Sequence, residues 1–176
     1  MKKKIVFTGG NGRFAEEIKK IKNQYEVFYP SKKELNILNV KTIKNYLQKT
    51  RPKVLIHMAG LSRPMKQHEE KINKSIELNI IGTANIVKVC SNMGIKVIYL
   101  SSGYVYQGKK GNYKETDAIL PWNNYGWSKL GGEASVQMYK NSLIIRANIS
   151  ETPFVHNKAF SNIKINFLYH DEAAKI

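Results

Sequence analysis

The chain has 176 residues, 42% apolar and 24% charged, the composition of one ordinary globular domain rather than a disordered or fibrous chain. Its net charge of +16 points to an anionic partner, and because the lysines are scattered from Lys2 to Lys175 with no basic stripe or recognition motif, no nucleic-acid partner is expected. A single cysteine, Cys90, excludes an intrachain disulfide and a cysteine-based zinc site and suits a reducing cytoplasm, and no run approaches the roughly 18 apolar residues of a membrane span, so no membrane partner is expected.

Short Val- and Ile-rich runs alternate with longer segments of helical period, the pattern of a doubly wound α/β fold with a parallel sheet and helices on both faces. In chain order, Lys4 to Thr8 reads as a strand, Gly9 to Gly12 as a turn and Arg13 to Ile21 as a helix. Tyr25 to Tyr29 is the second strand, ended by Pro30, and Val40 to Lys49 the second helix. Val54 to Met58 forms the third strand, and one long helix is expected over Glu69 to Met93 on an apolar face that includes Ile72, Ile76, Ile81 and Ile86. Ile95 to Leu100 is the fourth strand, Gly103 to Asn123 a polar loop, Tyr125 to Tyr139 a helix, and Ser142 to Arg146 the fifth strand. Ile163 to Ile176 suggests one more strand and the start of a helix.

The turn Thr8-Gly9-Gly10-Asn11-Gly12-Arg13-Phe14-Ala15 lies between a buried-type strand and a helix. There glycines let the backbone turn sharply and approach a pyrophosphate, whose charge meets the helix N-terminus. Read as G-x-x-G-x-x-A, it gives Gly9 the turn, Gly12 the close approach and Ala15 the helix packing, with Asn11, Arg13 and Phe14 completing a dinucleotide site.

With this turn, the segments Asn79-Ile80-Ile81-Gly82-Thr83, Ser101-Ser102-Gly103-Tyr104-Val105-Tyr106 and Tyr125-Gly126-Trp127-Ser128-Lys129 follow in an order that resembles the extended short-chain dehydrogenase/reductase family over nearly all of residues 4–148. Glu34-Leu35-Asn36-Ile37, Tyr113-Lys114-Glu115-Thr116-Asp117 and Lys129-Leu130-Gly131-Gly132-Glu133 look most like its dTDP-4-dehydrorhamnose reductase branch. The resemblance implies a Rossmann-type fold and NADP or NAD as cofactor. It further implies a nucleotide-sugar substrate reduced at a 4-keto group. The unfinished helix at Ala173 to Ile176 is expected to leave apolar surface uncovered on the sheet, which gives a homodimer as an option. The resemblance also implies that Asn79, Ser102, Tyr125 and Lys129 are catalytic, and that Met58, Ala59 and Gly60, with Asn36 and Ile37, contact the adenosine and pyrophosphate. Epimerase and dehydratase branches share much of this pattern, and a noncatalytic dinucleotide-binding protein is a further alternative. The resemblance divides the chain into a dinucleotide-binding unit, residues 1–150, and a remnant of the substrate-binding portion, residues 151–176.

The chemistry follows from residue types. Reduction of a carbonyl needs a proton donor for the alkoxide, and Tyr125 and Lys129, four apart, share a helix face. A fixed ammonium beside the phenol favours phenolate, and moving a pKa from about 10 to about 7 takes roughly 4 kcal/mol. Ser102, at the carboxyl end of a parallel strand, is placed to hydrogen-bond the substrate oxygen. Arg13, Lys32 and Lys33 favour NADP over NAD, since no acidic residue is expected at the end of the second strand to claim free ribose hydroxyls. Asn36 is expected to offer adenine its carbonyl oxygen, and Asn148 to approach the nicotinamide end. His57, His156 and His170 show no metal-ligand spacing and are expected to be structural, so no metal is expected.

Overall fold

The computed structural model describes residues 2–22, 24–154 and 165–176. Five strands, β1 (Lys4–Thr8), β2 (Glu26–Phe28), β3 (Val54–His57), β4 (Lys96–Ser101) and β5 (Ser142–Arg146), form one sheet in the order β2-β1-β3-β4-β5 with every neighbouring pair parallel. Parallel neighbours need crossovers, and the right-handedness of crossovers assigns the faces. The step from β1 to β2 carries α1 (Arg13–Lys20). The steps to β3, β4 and β5 run the other way and place α2 (Val40–Thr50), α5 (Gly82–Met93) and α6 (Asn124–Gln137) together on the opposite face.

Strand alternation then sorts the side chains. Val6, Leu55 and Val97 are buried with Ile43, Leu47, Ile86, Val89 and Cys90 from α2 and α5, and Tyr99 is buried with Val87 and Val136. Ile56, Ile98 and Leu100 point the other way and are half-buried, while Leu143 and Ile145 are exposed. Helix ends follow local chemistry. Asn39 caps α2 by accepting from Lys41 and Thr42 amides, Asn123 caps α6 by accepting from the Gly126 amide, and Gly94, at φ 67°, ends α5.

The single helix expected over Glu69–Met93 is instead a broken one. α3 (Lys66–Glu70) ends at Lys71, whose φ of −128° and ψ of 56° leave the helical region. It is followed by α4 (Ile72–Ser75), a π-helical stretch (Ile76–Ile81) and α5. Over the first half the expected apolar face points outward: Ile72, Ile76 and Ile81 are exposed, whereas Ser75, Asn79 and Thr83 are buried. These polar residues turn inward because each has a partner there: His68 for Ser75, Leu61 and Ser128 for Asn79, and His57 for Thr83. Residues 149–151 and 165–176 return to α1. β6 (Ile149–Ser150) pairs in parallel with β7 (Leu168–Tyr169), and α7 (His170–Ala173) brings His170 5.6 Å from the Phe14 ring. His156, and residues 163 and 164 of the expected last strand, lie outside the described residues. No described helix is long and apolar enough to cross a membrane.

α6 lies close against the π-helical stretch because Gly132 has no side chain. A Cβ there would sit 2.6 Å from the Tyr99 hydroxyl and 2.7 Å from the Asn79 carbonyl oxygen. Gly132→Ala therefore pushes α6 outward, and an overpacking loss of about 1–3 kcal/mol is expected as a lower urea midpoint. An unchanged midpoint would show that the helices have room to spare.

Candidate active site

Strand order reverses between β1 and β3, and in such sheets ligands bind at the carboxyl ends of the strands beside that reversal. The turn after β1 and the segment after β3 meet there. Gly9 has φ 80°, and a Cβ on it would lie 3.0 Å from the Ala59 amide nitrogen and 3.2 Å from the Met58 carbonyl carbon. Only glycine fits both the backbone and the space. The Gly12 amide donates to the Gly9 carbonyl at 2.8 Å, closing the turn, and Gly12 caps α1 with no side-chain acceptor for the first helical amides. This glycine cradle and uncapped helix start fit a dinucleotide pyrophosphate.

Thr8 fixes the other wall. Its Oγ1 accepts from the Met58 and Ala59 amides, both at 3.2 Å, so its proton goes to His57 Nδ1 at 2.8 Å. His57 then carries its own proton on Nε2 and donates to Thr83 Oγ1 at 3.1 Å, and Thr83 donates to the Asn79 carbonyl at 2.7 Å. Burial, with the Lys129 charge adding to it, pulls the His57 pKa down to about 3, so this histidine is a neutral structural relay.

The remaining cofactor residues divide. Asn11, Gly12 and Arg13 are exposed on the turn, with Met58 and Ala59 half-buried and Gly60 exposed opposite. Arg13 pairs with Glu151, whose other oxygen accepts from Arg63 at 2.6 Å, so Arg13 is engaged by the segment after β6 and does not join Lys32 and Lys33. Phe14 faces His170. Ile37 belongs to the core, packed where a Gly82 side chain would be, because its neighbours Leu35 and Ile43 are buried with it. Asn36 Oδ1 accepts from the Leu38 amide, which fixes the turn after Ile37 and leaves its second lone pair for the expected adenine contact. A carboxylate does stand beyond β2: Glu34 folds back to accept from the Ser31 amide and hydroxyl, both at 2.8 Å, which holds it below the usual range.

Ser102 is buried at the end of β4, accepting from the Tyr104 amide and donating to Asn148 Oδ1 at 3.3 Å. Tyr125, in the first turn of α6, neighbours Ser102. Burial raises its pKa above the ordinary value, with the Ser102 hydrogen bond opposing, Tyr104 adding and Arg63 opposing. The expected lowering by Lys129 is absent from this balance. Lys129 donates to the Leu100 carbonyl at 2.8 Å and lies 4.1 Å from the Tyr99 ring centre, because in that buried corner the strand end supplies its acceptor. Burial lowers the Lys129 pKa to about 7, with Glu133 opposing. Asn79 makes no open contact in the crevice. Its Nδ2 donates to the Leu61 carbonyl and Ser128 Oγ, both at 2.8 Å, and its Oδ1 accepts from the Leu61 amide at 2.7 Å.

Asn148, expected near the nicotinamide end, accepts from Ser102 and the Gly103 amide and donates to the Asn166 carbonyl at 3.2 Å. Two further features were not legible as site residues. Arg146 forms a buried pair with Glu133 at 2.8 Å and donates to the Tyr106 hydroxyl at 2.7 Å, fixing the loop after β4. His68 packs on Tyr125. Neither has a local sequence signal, since each partner lies far away in the chain.

Fold and site together define an extended short-chain dehydrogenase/reductase. More narrowly, a family model described as the RmlD substrate binding domain matches residues 2–166, and the chain belongs to that family. It is 34% identical over 116 residues to the methionine adenosyltransferase 2 subunit beta of Xenopus laevis, covering 65% of this chain and 34% of that protein. It is 27% identical over 150 residues to the dTDP-4-dehydrorhamnose reductase of Aggregatibacter actinomycetemcomitans, covering 82% of this chain and 51% of that one. The crystal structure of the Bacillus anthracis dTDP-4-dehydrorhamnose reductase in complex with NADP superposes with a TM-score of 0.79 at 29% identity, over 86% of this chain and 55% of that one. The chain thus spans between a third and about half of the length of these relatives.

Lys129 gives the site a pH signature. The folded chain releases this proton near pH 7, whereas an unfolded lysine keeps it to about 10.5. Between those values the unfolded state binds more protons, so this residue's contribution to stability rises with pH across that window and is flat below it. The urea midpoint of the wild type is expected to gain on that of Lys129→Met between pH 7 and about 9.5. Parallel profiles would show that the amine is not desolvated.

Proposed function

We propose that this chain carries the dinucleotide site and the proton donor of an NAD(P)-dependent oxidoreductase that reduces a 4-keto nucleotide sugar, in the manner of a dTDP-4-dehydrorhamnose reductase. The observation that carries the reading is the meeting of Ser102 and Tyr125 at the carboxyl end of β4, on the sheet whose glycine turn fits a pyrophosphate. Similarity to reductases of that name, one of them in complex with NADP, supports it. A reduced nicotinamide held at the glycine turn would supply the hydride. Ser102, turning its proton from Asn148 to the substrate, orients the carbonyl by donating to its oxygen, Tyr125 donates the phenolic proton to the alkoxide, and the Lys129 amine, one helical turn on, serves the ribose hydroxyls. Asn79 acts through Leu61 and Ser128 as a positioning residue. Lys32 and Lys33, exposed after β2, favour NADP over NAD. The single cysteine, Cys90, fits cytoplasmic residence.

A second reading, a noncatalytic dinucleotide-binding protein, is favoured by the relative that bears the name of a subunit of a different enzyme. Binding without turnover on any 4-keto nucleotide sugar distinguishes it.

Calorimetric titration with NADPH and NADH tests the cofactor site. Gly9→Ala is expected to weaken both by at least about tenfold, or about 1.4 kcal/mol. Tighter binding of NADH than NADPH by the wild type would remove the NADP preference. In a steady-state assay, Tyr125→Phe is expected to keep cofactor affinity within about twofold while turnover falls about 100-fold or more. Retained turnover in that variant would take the acid role away from Tyr125.

A further inference from the structure

His68 plays no part in the chemistry above, yet it sits against Tyr125. It lies on α3 and is 0% exposed. Its Nδ1 is 2.7 Å from Ser75 Oγ on α4, and the ring also interacts with the Ser62 backbone. The imidazole meets the Tyr125 ring edge-on, with centres 5.0 Å apart and planes at 60°, and Tyr104 makes a second edge contact at 5.6 Å and 72°. A separate set of bonds locks the same two helices together. Asn124, next to Tyr125, donates from Nδ2 to Glu69 at 2.6 Å and to the His68 carbonyl at 3.3 Å.

We propose that His68, held by Ser75, is a positioning residue for Tyr125, fixing the phenol between the imidazole and Tyr104 so that its hydroxyl stays beside Ser102. This rests on the reading of Tyr125 as the proton donor. Four facts converge on it: full burial, an anchor on one ring nitrogen, a ring edge on the phenol, and a clamp between α3 and the start of α6. Burial already holds the phenol above its ordinary pKa, so opening the His68 position admits water and lowers it. It also lets the ring leave its single orientation.

The test uses the whole chain with NADP+, carbon-13 labelled at tyrosine Cζ, the Tyr125 signal being assigned from Tyr125→Phe. The wild type is expected to show one sharp Tyr125 resonance. His68→Ala is expected to broaden or split it and to lower its titration midpoint by about half a unit. His68→Phe, which keeps a ring edge, is expected to restore a single resonance. Ser75→Ala, a milder change, is expected to move the resonance in the same direction as His68→Ala and covers the case in which that variant does not fold. Turnover with a 4-keto nucleotide sugar is expected to fall about tenfold in His68→Ala with KM little changed. A Tyr125 signal that is unmoved in folded His68→Ala, or in Ser75→Ala, overturns the proposal. If the signal moves but Tyr125→Phe retains turnover, the positioning stands and the acid assignment fails.

Discussion

A continuous line of buried hydrogen bonds holds the strand end beside the glycine turn to the start of α6. It begins at the Met58 and Ala59 amides, which donate to Thr8, and runs through His57 and Thr83 to the Asn79 carbonyl. The Asn79 side chain continues it to Ser128, which donates to the Tyr125 carbonyl at 2.8 Å. Each group in the line is buried or half-buried, so its partners cannot be exchanged for water without loss. The donor and acceptor roles are also mutually determined. Because Thr8 accepts twice it must donate to His57, and every later proton is then assigned. A neutral His57 is what lets the line close, since a charged imidazole would donate from both nitrogens and conflict with the Thr8 proton.

This line explains why the helix between β3 and β4 is broken. A regular apolar helix over residues 72–93 would bury Ile72, Ile76 and Ile81 and turn Ser75, Asn79 and Thr83 to solvent. The π-helical stretch instead presents Asn79 to Leu61 and Ser128 together, and Gly132 lets α6 come near enough for the second of these bonds. Hydrogen bonds to a specific acceptor outweigh the burial of three isoleucines that remain partly covered on the surface.

The limits of the sequence reading follow from the same physics. The five strands, the glycine turn and the Tyr125–Lys129 spacing were legible, because each is written in adjacent residues whose chemistry is local. The inward polar face of residues 75–83 was not, because isoleucine spacing reads as a core stripe until the partners on other elements are known. Nor was the direction of Lys129, which depends on a carbonyl at the end of β4, or the capture of Arg13 by Glu151. Glu34 was legible as a residue of the branch motif, but its place beyond β2 was hidden by the turn through Ser31.

The burial that raises the Tyr125 pKa bears on how the proposed reduction would proceed. The sequence suggested a phenol lowered by Lys129 as the proton donor. A phenol held above its ordinary value keeps its proton at neutral pH, which is the form an acid needs. An alkoxide formed by hydride addition is far more basic than a phenolate, so the transfer from Tyr125 is downhill without any prior lowering. The Lys129 amine, near its own midpoint at neutral pH, then sits one helical turn away at the other end of the same face. Burial and the Ser102 hydrogen bond thus act on the phenol in opposite directions, and the donor of the proposed reduction holds its proton until hydride addition creates the alkoxide.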